Sequence, residues 1–312
     1  MNLLMFRTLP RRTQRKLLLR HVRVDEQRLQ NVEIYPTERR EDVKAALSLV
    51  YEVYAAKGKV GPNPARLHVT KHNAQPASVI FAARQADQLG GTIALIPDSP
   101  LGLPIDCVQR AYMDELRARG LKICEISGLA CSSDLRGSGL ALYLYRAAVH
   151  AAIQESFDVV VITSQPKGAL IYSELLVCES FGAPAHHTSF NDRHPSTALR
   201  LDLRTCEGRL YERFDGLTDY QRSPHYLFYG KEVPQIRLPR RFSVTSERID
   251  ASADLIHARP EPFQRLTPIE LSYLKKAVPT ANWTPDSPVF AGRFPFPPQV
   301  GAQNLPLLPQ AS

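Results

Sequence analysis

The run Arg136-Gly137-Ser138-Gly139-Leu140-Ala141 has the residue types and spacing to hold a phosphate. It follows a short apolar strand pattern that ends near Cys131 and precedes a long apolar helical pattern, so it falls at a helix N-terminus. The first amides of a helix have no acceptor within it, and the helix dipole places partial positive charge there, which suits an anion. Gly137 and Gly139 would let the backbone approach a ligand closely, and Arg136 adds a charged donor. The same residues also fit a plain strand-to-helix turn needing positive φ, because short glycine motifs recur by chance. A second residue with chemical potential is Glu125, set in a strand among Ile123, Ile126 and Leu129. Burial there would raise its pKa toward neutrality.

The elements that must position these residues are legible from periodicity. Residues 31–36 alternate as a strand, and a helix follows to Gly58 with Val43, Ala46, Leu47, Val50, Tyr51 and Tyr54 on one face. Residues 58–77 carry Gly61, Pro62, Pro64 and Pro76 and form a loop placed to cover a site. Ala77 to Arg84 and Gly91 to Pro97 read as an antiparallel hairpin turning at Asp87 to Gly90. A helix from Leu103 to Arg119 closes at Gly120. Leu121 to Cys131 and Asp158 to Thr163 are strands joined by the helix from about Ser138 to Ser156, a parallel crossover. A short helix over Lys167 to Leu176 and a strand over Thr197 to Leu203 complete the region.

Composition bounds the rest. The chain of 312 residues can bury a substantial core, and its 44% hydrophobic and 22% charged content is that of a globular protein. The +8 charge is uneven, with Arg7, Arg11, Arg12, Arg15, Lys16, Arg20 and Arg23 preceding the first acidic residue, Asp25. Such an arm could contact nucleic acid, an anionic membrane or an acidic carrier protein, or stay solvated; with no aromatics interleaved, base stacking is not suggested. Cys107, Cys124, Cys131, Cys178 and Cys206 lack Cys-x-x-Cys spacing and read as reduced thiols of a cytoplasmic protein. No apolar run has the length of a membrane span. Beyond residue 205 the text turns aromatic and proline-rich with few long periodic segments, except for Thr267-Pro268-Ile269-Glu270, a capping box opening a helix to about Ala277. The expected organisation is a basic arm over 1–30, a catalytic domain over 31–204, and a C-terminal extension over 205–312.

Arg136, Gly139 and Ala141 match the spacing [Arg or Gln]-x-x-Gly-x-[Gly or Ala], which resembles the pyrophosphate or phosphopantetheine loop of GNAT acyltransferases, and the element order is also theirs. The segments Ile96-Pro97-Asp98-Ser99-Pro100-Leu101-Gly102-Leu103-Pro104, Asp114-Glu115-Leu116-Arg117 and Glu125-Ile126-Ser127-Gly128-Leu129-Ala130 resemble the FeeM-type N-acyl amino acid synthases, as does Tyr51-Glu52-Val53-Tyr54. These are relatives of the acyl-homoserine lactone synthases, and the resemblance covers roughly residues 31 to 204. It implies an α/β, GNAT-like acyltransferase fold: a mixed central sheet flanked by helices, here with a proline-rich C-terminal extension. It also implies transfer of a long-chain fatty acyl group from acyl carrier protein to the α-amine of an amino acid, without metal, permanently bound cofactor or nucleic acid. The carrier's phosphopantetheine would lie against Arg136, Gly137, Ser138, Gly139 and Ala141, with the acidic carrier drawn to the basic arm. Gln165-Pro166-Lys167-Gly168-Ala169-Leu170-Ile171-Tyr172 departs from the family's Asn-Pro-Arg-His-x-x-Phe-Tyr, and Val177-Cys178 stands where Gly-Phe is common.

Aminolysis of a thioester needs a neutral amine, a polarised carbonyl and a proton source for the thiolate. Glu125 is the expected group that orients the amine and accepts its proton, directly or through water; a structural Glu paired with an arginine is the alternative. A strand amide near Leu129, Ala130 or Cys131 would hold the carbonyl oxygen, by analogy of fold. Tyr172 would be the acid, or simply a packing residue. His186, His187 and His194 read as solvated loop residues without zinc spacing and are left out of the site. Two other functions remain open: an acyl-CoA dependent acetyltransferase acting on a small amine, and a catalytically silent GNAT-like module that binds a carrier protein, or nucleic acid through its basic arm.

Overall fold

The computed structural model describes residues 8–10, 13, 14, 17, 19, 23–187, 195–217, 220–284 and 287–290. Most of the basic arm, His194 and the proline-rich stretch after residue 290 lie outside the described residues. One mixed sheet of seven strands organises the chain in the order β1-β2-β3-β4-β5-β7-β6. The strands are β1 (Val32–Pro36), β2 (Val79–Gln85), β3 (Gln88–Pro97), β4 (Ile123–Cys131), β5 (Val159–Ser164), β6 (Glu179–Ala185) and β7 (Ser196–Asp202). The helices are α1 (Arg40–Ala56), α2 (Asp106–Ala118), α3 (Leu140–Gln154), α4 (Pro166–Leu175), α5 (Cys206–Phe214), α6 (Ser246–Ala258) and α7 (Pro268–Ala277). All neighbouring strands run antiparallel except β4 and β5, the pair that α3 connects.

Each sheet face carries its own apolar layer. On one side α3 packs against Phe81, Ile93, Leu95, Cys124, Ile126, Val160 and Ile162. Its Leu140, Tyr143, Leu144, Tyr145, Ala147, Ala148, Val149, Ala151 and Ala152 are all buried, the near-complete burial expected of a helix apolar on most sides. On the other side α1 and α2 cover Ile80, Ala94, Ile96, Ile123, Val159 and Val161, and the later segment from Ala251 to Val289 joins the same layer. The face of α1 read from periodicity is the buried one, with Tyr54 half-exposed and facing the His68 ring at 5.2 Å.

Three sequence expectations change. The hairpin turns at Ala86 and Asp87, with Gln85 paired to Gln88, so β3 starts earlier than Gly91. Gly90, read as a turn residue, is a packing position in β3, where a Cβ would lie 2.3 Å from Leu135, and at Gly91 a Cβ would lie 2.8 Å from Leu140 of α3. The strand β6 was absent from the reading because Gly182 and Pro184 interrupt it. Beyond residue 205, α5 and α6 stand where few periodic segments were expected. They bury only short sets, Cys206, Leu210 and Phe214 in α5 and Ala251, Ala253, Leu255 and Ile256 in α6 among polar neighbours.

The capping box of α7 is formed, the Thr267 hydroxyl accepting from the Glu270 amide while the Glu270 carboxylate accepts from the Thr267 amide. Glu270 also pairs with Lys71, tying α7 to the loop after α1. Thr267→Ala is therefore expected to lower unfolding free energy by about 1 kcal/mol, read by thermal or urea denaturation. Among the described residues no helix is long and apolar enough to cross a membrane.

Candidate active site

The turn before α3 leaves several backbone amides open. Gly139 is the N-cap with φ of 92°, a conformation that favours glycine, and Gly137 also has positive φ. Ser138 is buried, its hydroxyl donating to Leu135 O at 2.6 Å and accepting from the Leu140 amide at 3.3 Å. The amides of Gly137, Gly139 and Ala141 have no acceptor among the described residues. Arg136 is exposed beside them. The close approach at Gly139 is made by the chain itself: a Cβ there would sit 2.7 Å from Arg23 O and 2.8 Å from Val24 Cα. The end of the basic arm is thus docked, with the Asp25 amide donating to Ser138 O at 2.8 Å and Arg28 donating to the carbonyls of Asp134 and Arg136. Gly137, by contrast, has nothing within 4 Å of its Cβ position and stays open.

Lys57, the residue closing α1, converges on the same turn. Burial lowers its pKa, and the charges of Lys59 and Arg136 lower it further, while the Cys131 thiol works the other way. Neither Lys57 nor Arg136 forms an ion pair among the described residues. Unpaired cations and open helix-start amides are the groups that can hold an anion. Lys57 has no motif of its own in the sequence; only the packing of α1 across the sheet brings it there.

The sheet parts beside this turn. Ile123, Cys124 and Glu125 pair with β5, but β4 beyond Glu125 pairs only with β3, and β5 beyond Val161 only with β7. Opposite the gap, one extra β4 residue lies between the pairs Thr92–Ala130 and Ala94–Ser127, a bulge at Gly128, whose φ is 63°. Such bulges re-aim neighbouring side chains and backbone. Leu129, Ala130 and Cys131 therefore run along the free edge, Leu129 toward the α3 layer and Ala130 against Val50 and Val53 of α1. Burial pushes the Cys131 thiol up to about 11, partly offset by Arg136 and Lys57, so it is a neutral group at physiological pH.

Glu125 ends the stretch of β4 that pairs with β5 and is fully buried. Its Oε2 accepts from the Ile105 amide at 2.7 Å, and Oε1 has no partner among the described residues. Burial pushes its pKa up to about 8; the Ile105 bond opposes the rise and the nearby Asp106 charge adds to it. Among the described residues no arginine pairs with it; its one hydrogen bond is to the Ile105 backbone amide. The segment from Asp98 to Pro104 is the scaffold that aims the Ile105 amide. Arg117 clamps Asp98 at 2.7 Å and Asp106 at 2.8 Å, and Asp106 accepts from the Leu103 amide at 2.9 Å.

Tyr172 belongs to the other layer. Its ring lies 5.5 Å from that of Tyr145, and burial raises its pKa, with Cys178 and Tyr54 adding to the shift. Its hydroxyl makes no hydrogen bond among the described residues. Tyr172 and Glu125 thus approach the parted strands from opposite faces rather than touching. The departures from the family text have local causes. A Cβ at Gly168 would lie 2.2 Å from Ser164 Oγ, so a side chain there meets Ser164. Val177 sits at φ of 50°, a strained value for a β-branched residue where the family has glycine.

On the α1 side of the gap a cleft of about 1000 Å³ opens, floored by Thr92, Ala94, Ile96, Ser127 and Gly128. Residues 59–63 and 67–73 of the expected covering loop line it, as do residues 99–104. Glu125 lies beneath this floor and does not line it. His187, read from the sequence as solvated, is 4% exposed and in the cleft wall. It is near enough to His68 for its charge to add to the lowering of that residue, whose pKa burial, then Arg259, bring to about 4. His186 does not line the cleft. Neither His68 nor His187 carried a sequence signal, since their pairing depends on two loops distant in the chain.

A helix start with open amides set against parted central strands is the architecture of the GNAT-like acyltransferases. The FeeM structure, an N-acyl amino acid synthase from uncultured soil microbes, shares the fold with TM-score 0.51 and 24% identity over 57% of this chain and 93% of its own. The acyl-homoserine lactone synthases BjaI, CoA-dependent and solved with SAM and isopentyl-CoA, and LasI align at 15% and 16% identity. BjaI covers 72% of this chain and 98% of its own, LasI 65% and 95%, with TM-scores of 0.46 and 0.43. No curated protein sequence matches. The family profile described as N-acyl amino acid synthase FeeM matches residues 45–202, half of the chain. The chain belongs to the FeeM family of N-acyl amino acid synthases, and it is an N-acyltransferase.

Proposed function

We propose that the chain moves a long-chain fatty acyl group from the phosphopantetheine thioester of acyl carrier protein to the α-amine of an amino acid. The observation that carries this reading is the run from the anion site at Lys57, Arg136, Gly137, Gly139 and Ala141, past the parted strands, to the cleft. Its volume lies at the upper end of the roughly 300–1,000 Å³ range of small-molecule pockets, which suits an acyl chain and an acceptor together. An acetyl group needs no such space. The unit that does this spans 31–204, with the extension after 205 closing the cleft. The basic arm, docked at residues 23–28 beside the anion site, gives an acidic carrier a favourable approach.

In the reaction the amine nitrogen attacks the thioester carbonyl, a β4 amide near Leu129 to Cys131 holds the oxyanion, and the C–S bond breaks to give the amide and the carrier thiol. Glu125 takes the amine proton through a water, since it lies under the cleft floor. Its pKa of about 8 matches a thiol of about 8.5, so the proton can pass on to the leaving sulfur without a large uphill step. Tyr172, held above the ordinary phenol value, donates a hydrogen bond to that sulfur and keeps its own proton.

Mass spectrometry of lipid extracts from cells overproducing the chain tests the reading: N-acyl amino acids are expected, and their absence with folded protein present overturns it. Lys57→Ala and Arg136→Ala are each expected to raise the donor KM about tenfold, the weight of one charge-assisted contact, with little change in acceptor KM. Steady-state kinetics with donor varied checks this.

A further inference from the structure

The wall of the cleft farthest along the chain comes from residues beyond the family match, among them Arg259, Thr267 and Glu270. The side chain of Arg259 is 18% exposed. Its Nη1 donates to Leu67 O at 3.0 Å and its Nε to Glu261 Oε2 at 3.0 Å. Nη2 makes no hydrogen bond among the described residues. The guanidinium is therefore clamped along one edge and free at the other. Other cations of the cleft are differently placed: Lys71 is closed off by Glu270, Arg117 by Asp98, Asp106 and Asp114, Arg110 pairs with Asp114, and Lys59 lies over the Tyr54 ring at 5.5 Å. The carboxylate beside Arg259, Glu261, is 57% exposed and engages Nε alone. Next to it, His68 is neutral at physiological pH and adds no charge that would repel an acceptor's ammonium.

We propose that Arg259 holds the α-carboxylate of the acceptor, so that the C-terminal extension selects an amino acid over a simple amine. This rests on the acyl-transfer reading above. A guanidinium fixed in advance loses little side-chain freedom on taking a carboxylate at Nη2. Arg259 acts as a specificity-determining residue, outside the bond-making steps.

The test compares the full-length wild type with Arg259→Gln, Arg259→Lys and Glu261→Gln, using palmitoyl donor. The acceptors are the amino acid that the wild type uses best among the twenty, and its α-carboxamide. Arg259→Gln is expected to raise the amino acid KM by about 10- to 150-fold, the weight of a charged hydrogen bond, with kcat within about threefold and the carboxamide KM unchanged. Arg259→Lys should fall between, and Glu261→Gln should leave the amino acid KM at or below the wild-type value. Equal losses on both acceptors, or unchanged discrimination in Arg259→Gln, overturn the assignment. If Arg259→Gln does not fold, the same comparison in Arg259→Lys decides. A wild type that acylates no amino acid defeats the functional reading itself, whereas acylation with unaltered discrimination in the variants defeats only the role of Arg259.

Discussion

Glu125→Gln is expected to lower turnover by about 10²- to 10⁴-fold, the usual contribution of a positioned general base. Glutamine keeps an oxygen for the Ile105 amide, so the loop that Glu125 anchors should stay in place. The pH dependence has a definite sign. Only the ionised carboxylate accepts a proton, so the wild-type rate should rise through about pH 8, and the residual rate of the variant should lose that inflection while keeping the acceptor amine's own. Stability runs the opposite way. The folded pKa, about 8, is raised above the ordinary 4.5, so the folded state holds the proton more tightly. The stability linked to that proton is complete below pH 4.5 and is lost as pH rises through about 8. Glu125→Gln should therefore gain stability relative to wild type as pH climbs across that window, measured by urea denaturation at several pH values. Normal turnover in the variant would remove Glu125 from the chemistry and leave it as an anchor for Ile105.

Arg117→Ala is expected to cost about 3 kcal/mol of stability, because it strands carboxylates that are no longer exposed enough for water to compensate. Asp106 is 11% exposed and Asp98 20%, while Asp114, at 50%, should contribute little. Asp106 already carries one oxygen without a partner. Activity should fall further than stability explains, since Asp106 fixes the Leu103 amide and, two residues on, the Ile105 amide that meets Glu125. Arg117→Lys should recover part of the loss: a single ammonium carries the charge but cannot fork to three carboxylates. Urea unfolding alongside steady-state rates checks both halves. A variant as stable as wild type would show that the Asp98 to Pro104 string is not the scaffold described here.

Much of this was legible because local chemistry and final structure agree. The stripe Val43, Ala46, Leu47, Val50 faces the core, Thr267 and Glu270 form their box, and the turn at 136–141 opens a helix with the Gly137, Gly139 and Ala141 amides unpartnered among the described residues. Glu125 was readable as buried because its neighbours are apolar, but its partner was not: Ile105 lies twenty residues away and presents a backbone amide, which carries no side-chain signal. Misreadings arose where tertiary contact overrides local preference. Gly90 signals a turn yet lies in β3 against Leu135. Gly139 signals room for a ligand yet accommodates Arg23 and Val24. Lys57, His68, His187 and Arg259 come from separate stretches of chain, and nothing in their local text distinguishes them from surface residues.

The central claim is that the anion site and the cleft together serve acyl transfer to an amino acid. The most direct measurement incubates the purified chain with an amino acid mixture and either palmitoyl-acyl carrier protein or palmitoyl-CoA, following amide product by mass spectrometry and released thiol by titration. The account predicts N-palmitoyl amino acid and carrier thiol in equal amounts, with the carrier protein donor preferred. Thioester hydrolysis without amide, or no product from either donor by folded protein, would contradict it.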